Sequence, residues 1–364
     1  MAQSPAHDKM LLAATLALLL LGLAMVYSAS AVIALSRHGD SLYYLKKQAL
    51  WMGIGLVGMV AAMRLDYRAW RKLTLPFLGV SLLLLVLVLL PQVGSEVHGA
   101  RRWLRVGGLS LQPAELAKLA LVIYTAYVLA KKGDRIQDFL YGFFPHGVIL
   151  GVFLILMVMQ PDLGTAVHAG LVVVAMLFLG GARLHHLASL GLLALPALYT
   201  LVLNVAYRKR RLLAFLDPWQ DPTAAGFQMV QSFLALGAGG VLGVGLGEGK
   251  QKLFFLPEPH TDFIFALIGE ELGLVGAMGT LLLFGVILWR GLRVGLRAED
   301  PFARYLALGI TILVSLQAAI NMGVVTGLMP TKGLPLPFVS FGGSSLVVSL
   351  VGMGILLNVS KHAG

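Results

Sequence analysis

Apolar residues run along this chain in long blocks separated by short polar stretches, a pattern that predicts a series of membrane-crossing helices. Ten blocks approach the roughly 20 residues that a hydrocarbon core requires. They cover 10–35, 48–63, 74–90, 113–130, 140–159, 165–182, 187–205, 262–289, 304–322 and 344–358. The second is short and gains length if its helix begins near Leu45. The first is too long for a signal-peptide core and lacks a small-residue cleavage site, so it stays as a span. An even number of crossings returns both termini to one side. The predicted class is therefore an all-α polytopic membrane protein, with a single membrane domain over residues 1–364. The segment 206–261 is expected to lie outside the membrane and cap that domain, with Asp-Pro turns followed by a short amphipathic helix carrying Gln228 and Gln231 on one face.

Charge sets the orientation. Lys and Arg divide evenly between the two sides, but short connections weigh more than long loops. Those holding Arg64, Arg68, Arg71 and Lys72, and Arg290, Arg293, Arg297 and Arg304, place the N- and C-termini in the cytoplasm. Two cationic clusters then fall on the side that should be poor in them: Arg101, Arg102 and Arg105 in "HGARRWLRVGG", and Arg208, Lys209, Arg210 and Arg211 in "YRKRRLLAFLD". Snorkelling at headgroups explains one such cluster. Two point to an anion site.

Composition narrows the function classes. The chain is 58% hydrophobic and only 12% charged, whereas soluble domains carry about a quarter charged residues. Its net charge of +11 suits anionic lipid or phosphate, and there is too little polar surface to carry nucleic acid. With no Cys, disulfides, thiolate nucleophiles and Cys-based metal sites are excluded. The glycine-rich "GAGGVLGVGLGEGKQK" is not a P-loop, because Val244 stands where Gly is needed and Gln251 where Ser or Thr is needed. Its glycines instead let loop backbone lie close to helices or to a phosphate. His168, His185 and His186 lack metal-ligand spacing and read as structural.

Ionisable groups inside apolar runs cost about 2.5–3.5 kcal/mol each when unpaired, so their positions are informative. "LQPAELAKL" sets Gln112, Glu115 and Lys118 on one stripe of a helix, either a buried structural pair or a cavity lining. Asp162 in "QPDLGTAV" either caps the sixth span or faces the same cavity. "MPTKGLPLPFVSFGGSS" is apolar yet too rich in Pro and Gly for a helix, and it predicts a re-entrant wall with Lys332 at its mouth and Ser344 and Ser345 at its end. "LPEPHTDFIFALIGEELG" opens with Glu258, His260 and Asp262 and carries Glu270 and Glu271 farther in. On a helix beginning at Asp262 the last two lie about 80° and 180° around the axis and roughly 12 Å deeper. They are expected to pair with the Lys118 stripe or with broken backbone. Asp262 alone reaches water and substrate, a carboxylate with the chemistry of a base beside an anion site.

Taken together, "MVYSAS", "GARRWLRVGGLSLQPAELAKL", "QPDLGTA", "RRLLAFLDPWQDPTAAGFQMVQS", "LPEPHTDFIFALIGEELG" and "GLPLPFVSFGGSS" resemble, in order and over nearly the whole chain, the SEDS family of bacterial cell-wall proteins (shape, elongation, division and sporulation), which includes FtsW and RodA. "NMGVVTGLMPTKGLPLPFVS" is more similar to the division-type FtsW branch. His98, Pro259 and Phe341 depart from the family's usual Asn, small residue and Tyr.

The resemblance implies a peptidoglycan glycosyltransferase in the bacterial cytoplasmic membrane that polymerises lipid II, an undecaprenyl-diphosphate disaccharide-pentapeptide, at the outer face. It also implies a class B penicillin-binding protein as transpeptidase partner, in division or elongation. The family's acid falls on Asp262, expected to act as general base, and its tryptophan on Trp103. Arg101, Arg102, Arg210 and Arg211 are expected to hold the diphosphate, with Lys332, Glu115, Lys118, Asp162, Ser344 and Ser345 lining the substrate site. A divalent cation at the diphosphate is compatible with this chemistry, although no metal-ligand spacing is present. The rival readings are a transporter that flips lipid II and a scaffold that only recruits the transpeptidase.

Overall fold

The computed structural model describes residues 7–362 apart from 98, 108, 225, 254, 257 and 258; His98 and Glu258 thus lie outside the described residues. Ten long helices fall on the ten apolar blocks: α1 Lys9–His38, α2 Tyr43–Arg64, α3 Tyr67–Leu87, α4 Pro113–Lys132, α5 Phe144–Met159, α6 Leu163–Leu179, α7 Leu184–Leu203, α10 Ile264–Arg297, α11 Pro301–Val325 and α12 Gly343–His362. Two shorter ones, α8 Ala206–Leu216 and α9 Phe227–Gly239, lie in the long connection between α7 and α10. Among the described residues eight helices are long and apolar enough to cross a membrane. α6 is apolar but has 17 residues, and α2 opens with Lys46 and Lys47. The chain is a helical, multi-pass membrane protein.

The ends of these helices follow from local chemistry. Asp8 accepts from the Met10 and Leu11 N–H groups at the start of α1 (both 3.1 Å), and Asp300 accepts from Ala303 N–H at the start of α11, which satisfies donors that have no intrahelical partner. Pro113, Pro145 and Pro301 occupy first-turn positions of α4, α5 and α11, where their missing N–H costs nothing. α4, α11 and α12 are buried on nearly all sides and form the centre of the bundle, whereas α7 is almost wholly peripheral.

Both termini meet at one end of the bundle. His7 Nδ1 donates to the Leu357 carbonyl at 2.9 Å, Asp8 N–H to Ser360 Oγ at 3.0 Å, and Asp8 forms an ion pair with Arg290 at 2.6 Å. At the opposite end the stretch expected as a plain loop folds into a three-stranded antiparallel sheet, β1 Gly94–Val97, β2 Ala100–Val106 and β3 Leu109–Leu111. The period-2 alternation of β2 was concealed in the sequence by its three arginines.

Two non-helical segments enter the bundle. Residues 327–342 follow α11 without helix, as their Pro and Gly content requires. Their backbone presses on the middle of α1, where a Cβ on Gly22 would stand 2.5 Å from the Phe338 carbonyl oxygen. The second was not anticipated. Part of the 206–261 segment dives beside α10 rather than staying above it. α9 runs along α10 so closely that a Cβ on Gly239 would lie 1.8 Å from the Gly269 carbonyl oxygen. The chain after α9 then meets α10 at a break: Gly273 has φ 65° and ψ −163°, a conformation that suits glycine. Across that break Val244 and Gly245 donate to the Glu270 and Glu271 carbonyls, and Leu274 and Val275 donate to those of Gly240 and Val241.

Glu270 and Glu271 finish this joint: of the two expected partners, the Lys118 stripe or broken backbone, they meet the broken backbone. Glu270 accepts from Lys250 N–H at 2.7 Å. Glu271 pairs with Lys252 at 2.8 Å and accepts from Ser28 of α1 at 2.7 Å. Lys252 sits in the returning strand of loop, nearer to Glu271 than any residue of α4.

Glycines in α9 provide a direct check. Gly239→Ala, whose methyl would overlap backbone of α10, is expected to abolish most folded protein, whereas Gly237→Ala, two positions earlier with open space around it, should leave yield unchanged. Size-exclusion profiles and thermal midpoints of the two purified variants would measure the difference.

Candidate active site

At the sheet-bearing end, four chain segments converge on a small polar mouth. Asp262 lies in a turn just ahead of α10, which begins at Ile264, so it is not the first residue of that helix. Its carboxylate is half-buried and faces Gly333, where a Cβ would stand 3.2 Å from Oδ2. Asn321 of α11 fixes the turn, donating through Nδ2 to the Asp262 carbonyl at 2.8 Å and to the Leu334 carbonyl at 2.7 Å. Ser340 Oγ donates to the Thr261 carbonyl at 2.6 Å, and Phe341 N–H to the His260 carbonyl at 2.8 Å. One asparagine and one serine thus lock the acid's turn to the re-entrant wall.

Lys332 stands next in the chain to Gly333, which faces this acid, and beside Gly164 of α6 in space. Burial lowers its ammonium from the usual lysine value, because a partly desolvated cation loses hydration energy. Asp162 takes the capping role: Oδ1 caps α6 through Thr165 N–H at 3.3 Å, and Oδ2 accepts from Gln112 Nε2 at 2.9 Å. Gln112 N–H in turn donates to Ser344 Oγ at 2.9 Å.

Beneath the mouth, Glu115 and Lys118 form a buried ion pair at 3.0 Å. Lys118 also donates to Gln317 Oε1 at 2.8 Å, and Gln317 Nε2 donates to the Pro335 carbonyl at 2.9 Å. This pair supports the wall from below. Ser344 and Ser345 are buried, and their hydroxyls are engaged within the protein with Gln112, Ser110 and Gln317.

The sheet sorts the arginines. Successive residues of a strand point to opposite faces, and Ala100 and Leu104 are buried. Arg102 shares their face and donates through Nε to the Gln160 carbonyl at 3.0 Å and through Nη2 to that of Pro161, one residue from Asp162. Arg101 and Trp103 face the other way, and Arg101 pairs with Glu96 at 3.2 Å. Arg210 and Arg211 ride on α8, which packs against α7. Contacts therefore run from Asp262 to Gly333, from Lys332 to Gly164 of α6, from Asp162 to Gln112 and from Arg102 to the turn before Asp162, while Arg101 and Trp103 lie on the other face of β2 and Arg210 and Arg211 on α8. The sequence reading missed Asn321 and Gln317, although two amides four residues apart in an apolar helix, hence on one face, were a legible signal.

Comparison with known proteins gives this geometry its context. A family model described as cell cycle protein, covering FtsW, RodA and SpoVE, matches residues 9–364. The chain belongs to this family. It is 52% identical to the probable peptidoglycan glycosyltransferase FtsW of Geobacter metallireducens, over 98% of this chain and 95% of the relative. It is 46% identical to the stage V sporulation protein E of Bacillus subtilis, over 98% and 97%. Among solved structures, a chain from work on structural coordination of polymerization and crosslinking by a peptidoglycan synthase complex superposes with a TM-score of 0.79 at 33% identity, 98% of each chain being covered. The rod shape determining protein RodA of Thermus thermophilus superposes at 0.73 and 30% identity with the same coverage. The FtsW/RodA/SpoVE architecture thus extends over essentially the whole chain, mouth included.

The buried pair offers a test of its structural weight. Lys118→Met would leave Glu115 charged and Gln317 unpartnered, and breaking such a pair costs about 3–5 kcal/mol. The thermal midpoint of purified Lys118→Met should fall well below wild type, and adding Glu115→Leu should recover part of the loss.

Proposed function

We propose that this chain is a peptidoglycan glycosyltransferase that polymerises lipid II, with Asp262 as general base and the mouth opening on the outer face of the bacterial cytoplasmic membrane. The observation that carries the reading is the placement of Asp262: a half-buried carboxylate on a clamped turn, at the bundle end opposite the termini, with cationic groups within the same wall. Family membership, and the FtsW relatives above all, supports the activity. Identity to FtsW of 52% against 30% to RodA favours the division-type role.

In the reaction, the acceptor sugar hydroxyl attacks the anomeric carbon of the donor. A new carbon–oxygen bond forms while the bond from that carbon to the diphosphate oxygen breaks. The hydroxyl proton passes to the Asp262 carboxylate, and the electron pair leaves with undecaprenyl diphosphate. One displacement inverts the anomeric centre, in keeping with one carboxylate and no nucleophile. Arg102 has guanidinium N–H groups to spare beyond its two carbonyl bonds, and with Lys332 it meets the charge that develops on the leaving diphosphate. Arg210 and Arg211, on α8 beside α7, add positive charge that draws the diphosphate toward the mouth. A class B penicillin-binding protein as crosslinking partner is supported by the likeness to a chain of a peptidoglycan synthase complex.

A flippase would need polar groups available along a path through the bundle. The deeper charges here close on one another instead, Glu115 with Lys118 and Glu271 with Lys252, which favours polymerisation over transport.

Asp262→Asn keeps the size of the side chain but cannot take the proton. Glycan formation from lipid II by purified protein with its transpeptidase should drop about 10²–10⁴-fold, the range for a positioned base, while binding of lipid II persists; wild-type turnover would end the assignment. Lys332 gives a pH signature. Because its folded-state value is lowered, it loses its charge sooner than an ordinary lysine as pH rises, so lipid II binding should weaken on the alkaline side before the usual lysine range. Lys332→Arg, always charged, should flatten that limb.

A further inference from the structure

The polar mouth has a second flank, built of aromatic rings. On one side of Asp262 the wall runs through Gly333 and Lys332 to Gly164 and on toward Asp162 and Arg102. On the other it runs through His260 and Phe341 to the first turn of α2. There the rings of Tyr44 and His260 lie 4.6 Å apart, those of Tyr44 and Phe341 5.3 Å, and those of His260 and Phe341 5.5 Å. Tyr43 stands edge-on to Tyr44 at 5.2 Å and stacks on His38 at 3.9 Å. His260 is buried, whereas Tyr44 and Phe341 are half-buried and still present part of their rings at the surface. The group is tied to the acid: Phe341 N–H donates to the His260 carbonyl, two residues before Asp262, and Gln48 Nε2 of α2 donates to the Ser340 carbonyl at 3.3 Å.

Membrane proteins gather Tyr at the lipid–water boundary, and that accounts for Tyr43 beside Lys47. It does not account for an aromatic triad built around a histidine on the same turn as the acid. Carbohydrate does: the C–H face of a pyranose ring is apolar and packs flat on an aromatic face, while its hydroxyls stay free for polar partners.

The direction of the reaction selects which sugar. In an inverting displacement the nucleophile approaches the anomeric carbon from the side opposite the leaving group. With the diphosphate drawn to Arg102 and Lys332, the acceptor must enter from the opposite flank, and that flank is the aromatic one. We propose that Tyr44, seated on His260 and flanked by Phe341, is the platform on which the acceptor saccharide stacks, aligning its hydroxyl with Asp262. The inference rests on the glycosyltransferase reading. It also explains why Phe341 is acceptable where the family usually has Tyr: stacking needs the ring and not the hydroxyl.

The test uses full-length protein in detergent and a phosphate-free, lipid-free tetrasaccharide of alternating N-acetylglucosamine and N-acetylmuramic acid, with binding followed by saturation-transfer NMR. Tyr44→Leu should weaken tetrasaccharide binding about tenfold, the equivalent of 1.4 kcal/mol, and shorten the glycan chains made from lipid II. Tyr44→Phe and Tyr44→Trp, which keep a ring, should recover most of the tetrasaccharide binding that Tyr44→Leu loses. Thermal midpoints confirm that each variant is folded, and the ring-retaining variants decide the matter if Tyr44→Leu is not. Equal tetrasaccharide affinity in wild type and folded Tyr44→Leu, or loss of binding in Tyr44→Phe, would overturn the platform while leaving polymerisation intact. Absence of polymerisation by wild type itself would instead overturn the underlying reading.

Discussion

Inside a bilayer no water is present to satisfy a backbone group that leaves a helix, and each one left bare costs several kcal/mol. This chain leaves the helix twice at depth, and much of its architecture is the accommodation of those two departures. Residues 327–342 hand their carbonyls to Asn321 and Gln317. The chain after α9 exchanges backbone hydrogen bonds with the break in α10 and receives the Glu270 and Glu271 carboxylates. Buried polar side chains that would be liabilities in a regular bundle are here the partners of irregular backbone.

That requirement and the chemistry converge on the same residues. Asn321 satisfies Leu334 and, in the same amide group, holds the carbonyl of Asp262. Gln317 links the wall to Lys118. Any motion of the re-entrant wall must therefore move the acid's turn with it, and the acid keeps its relation to Lys332 through such motion. A carboxylate on a free loop would have no such constraint. The cost is that substitutions under the wall will resemble active-site substitutions in assays that do not separate folding from turnover.

The ten spans were legible because hydrophobic length is a strong, local signal, and the Pro- and Gly-rich run after α11 was legible because no helix can contain it. Asp262, Glu115 and Lys118 stood out as charges in apolar surroundings. What could not be read was partnership across the bundle. Glu271 meets Lys252 because the chain between α9 and α10 folds back into the helix layer, and nothing in a polar, glycine-rich stretch distinguishes a loop that dives from one that stays above. Nor does a list of arginines show which will face inward: on β2 adjacent Arg101 and Arg102 are separated by the pleat, so that one meets Glu96 and the other the turn before Asp162. Nor does it show that Arg210 and Arg211 ride on a helix, α8, that packs against the peripheral α7.

The meeting of the two termini through His7, Asp8, Ser360 and Leu357 makes the polypeptide almost a closed ring in space. α1, with its 30 residues, puts about 45 Å between that seam and the mouth at 1.5 Å per residue. The seam between the start of α1 and the end of α12 therefore lies a full bundle length from Asp262 and the sheet. A substitution at Asp8 or Ser360 thus disturbs helix packing at one end without touching the turn that holds Asp262 at the other.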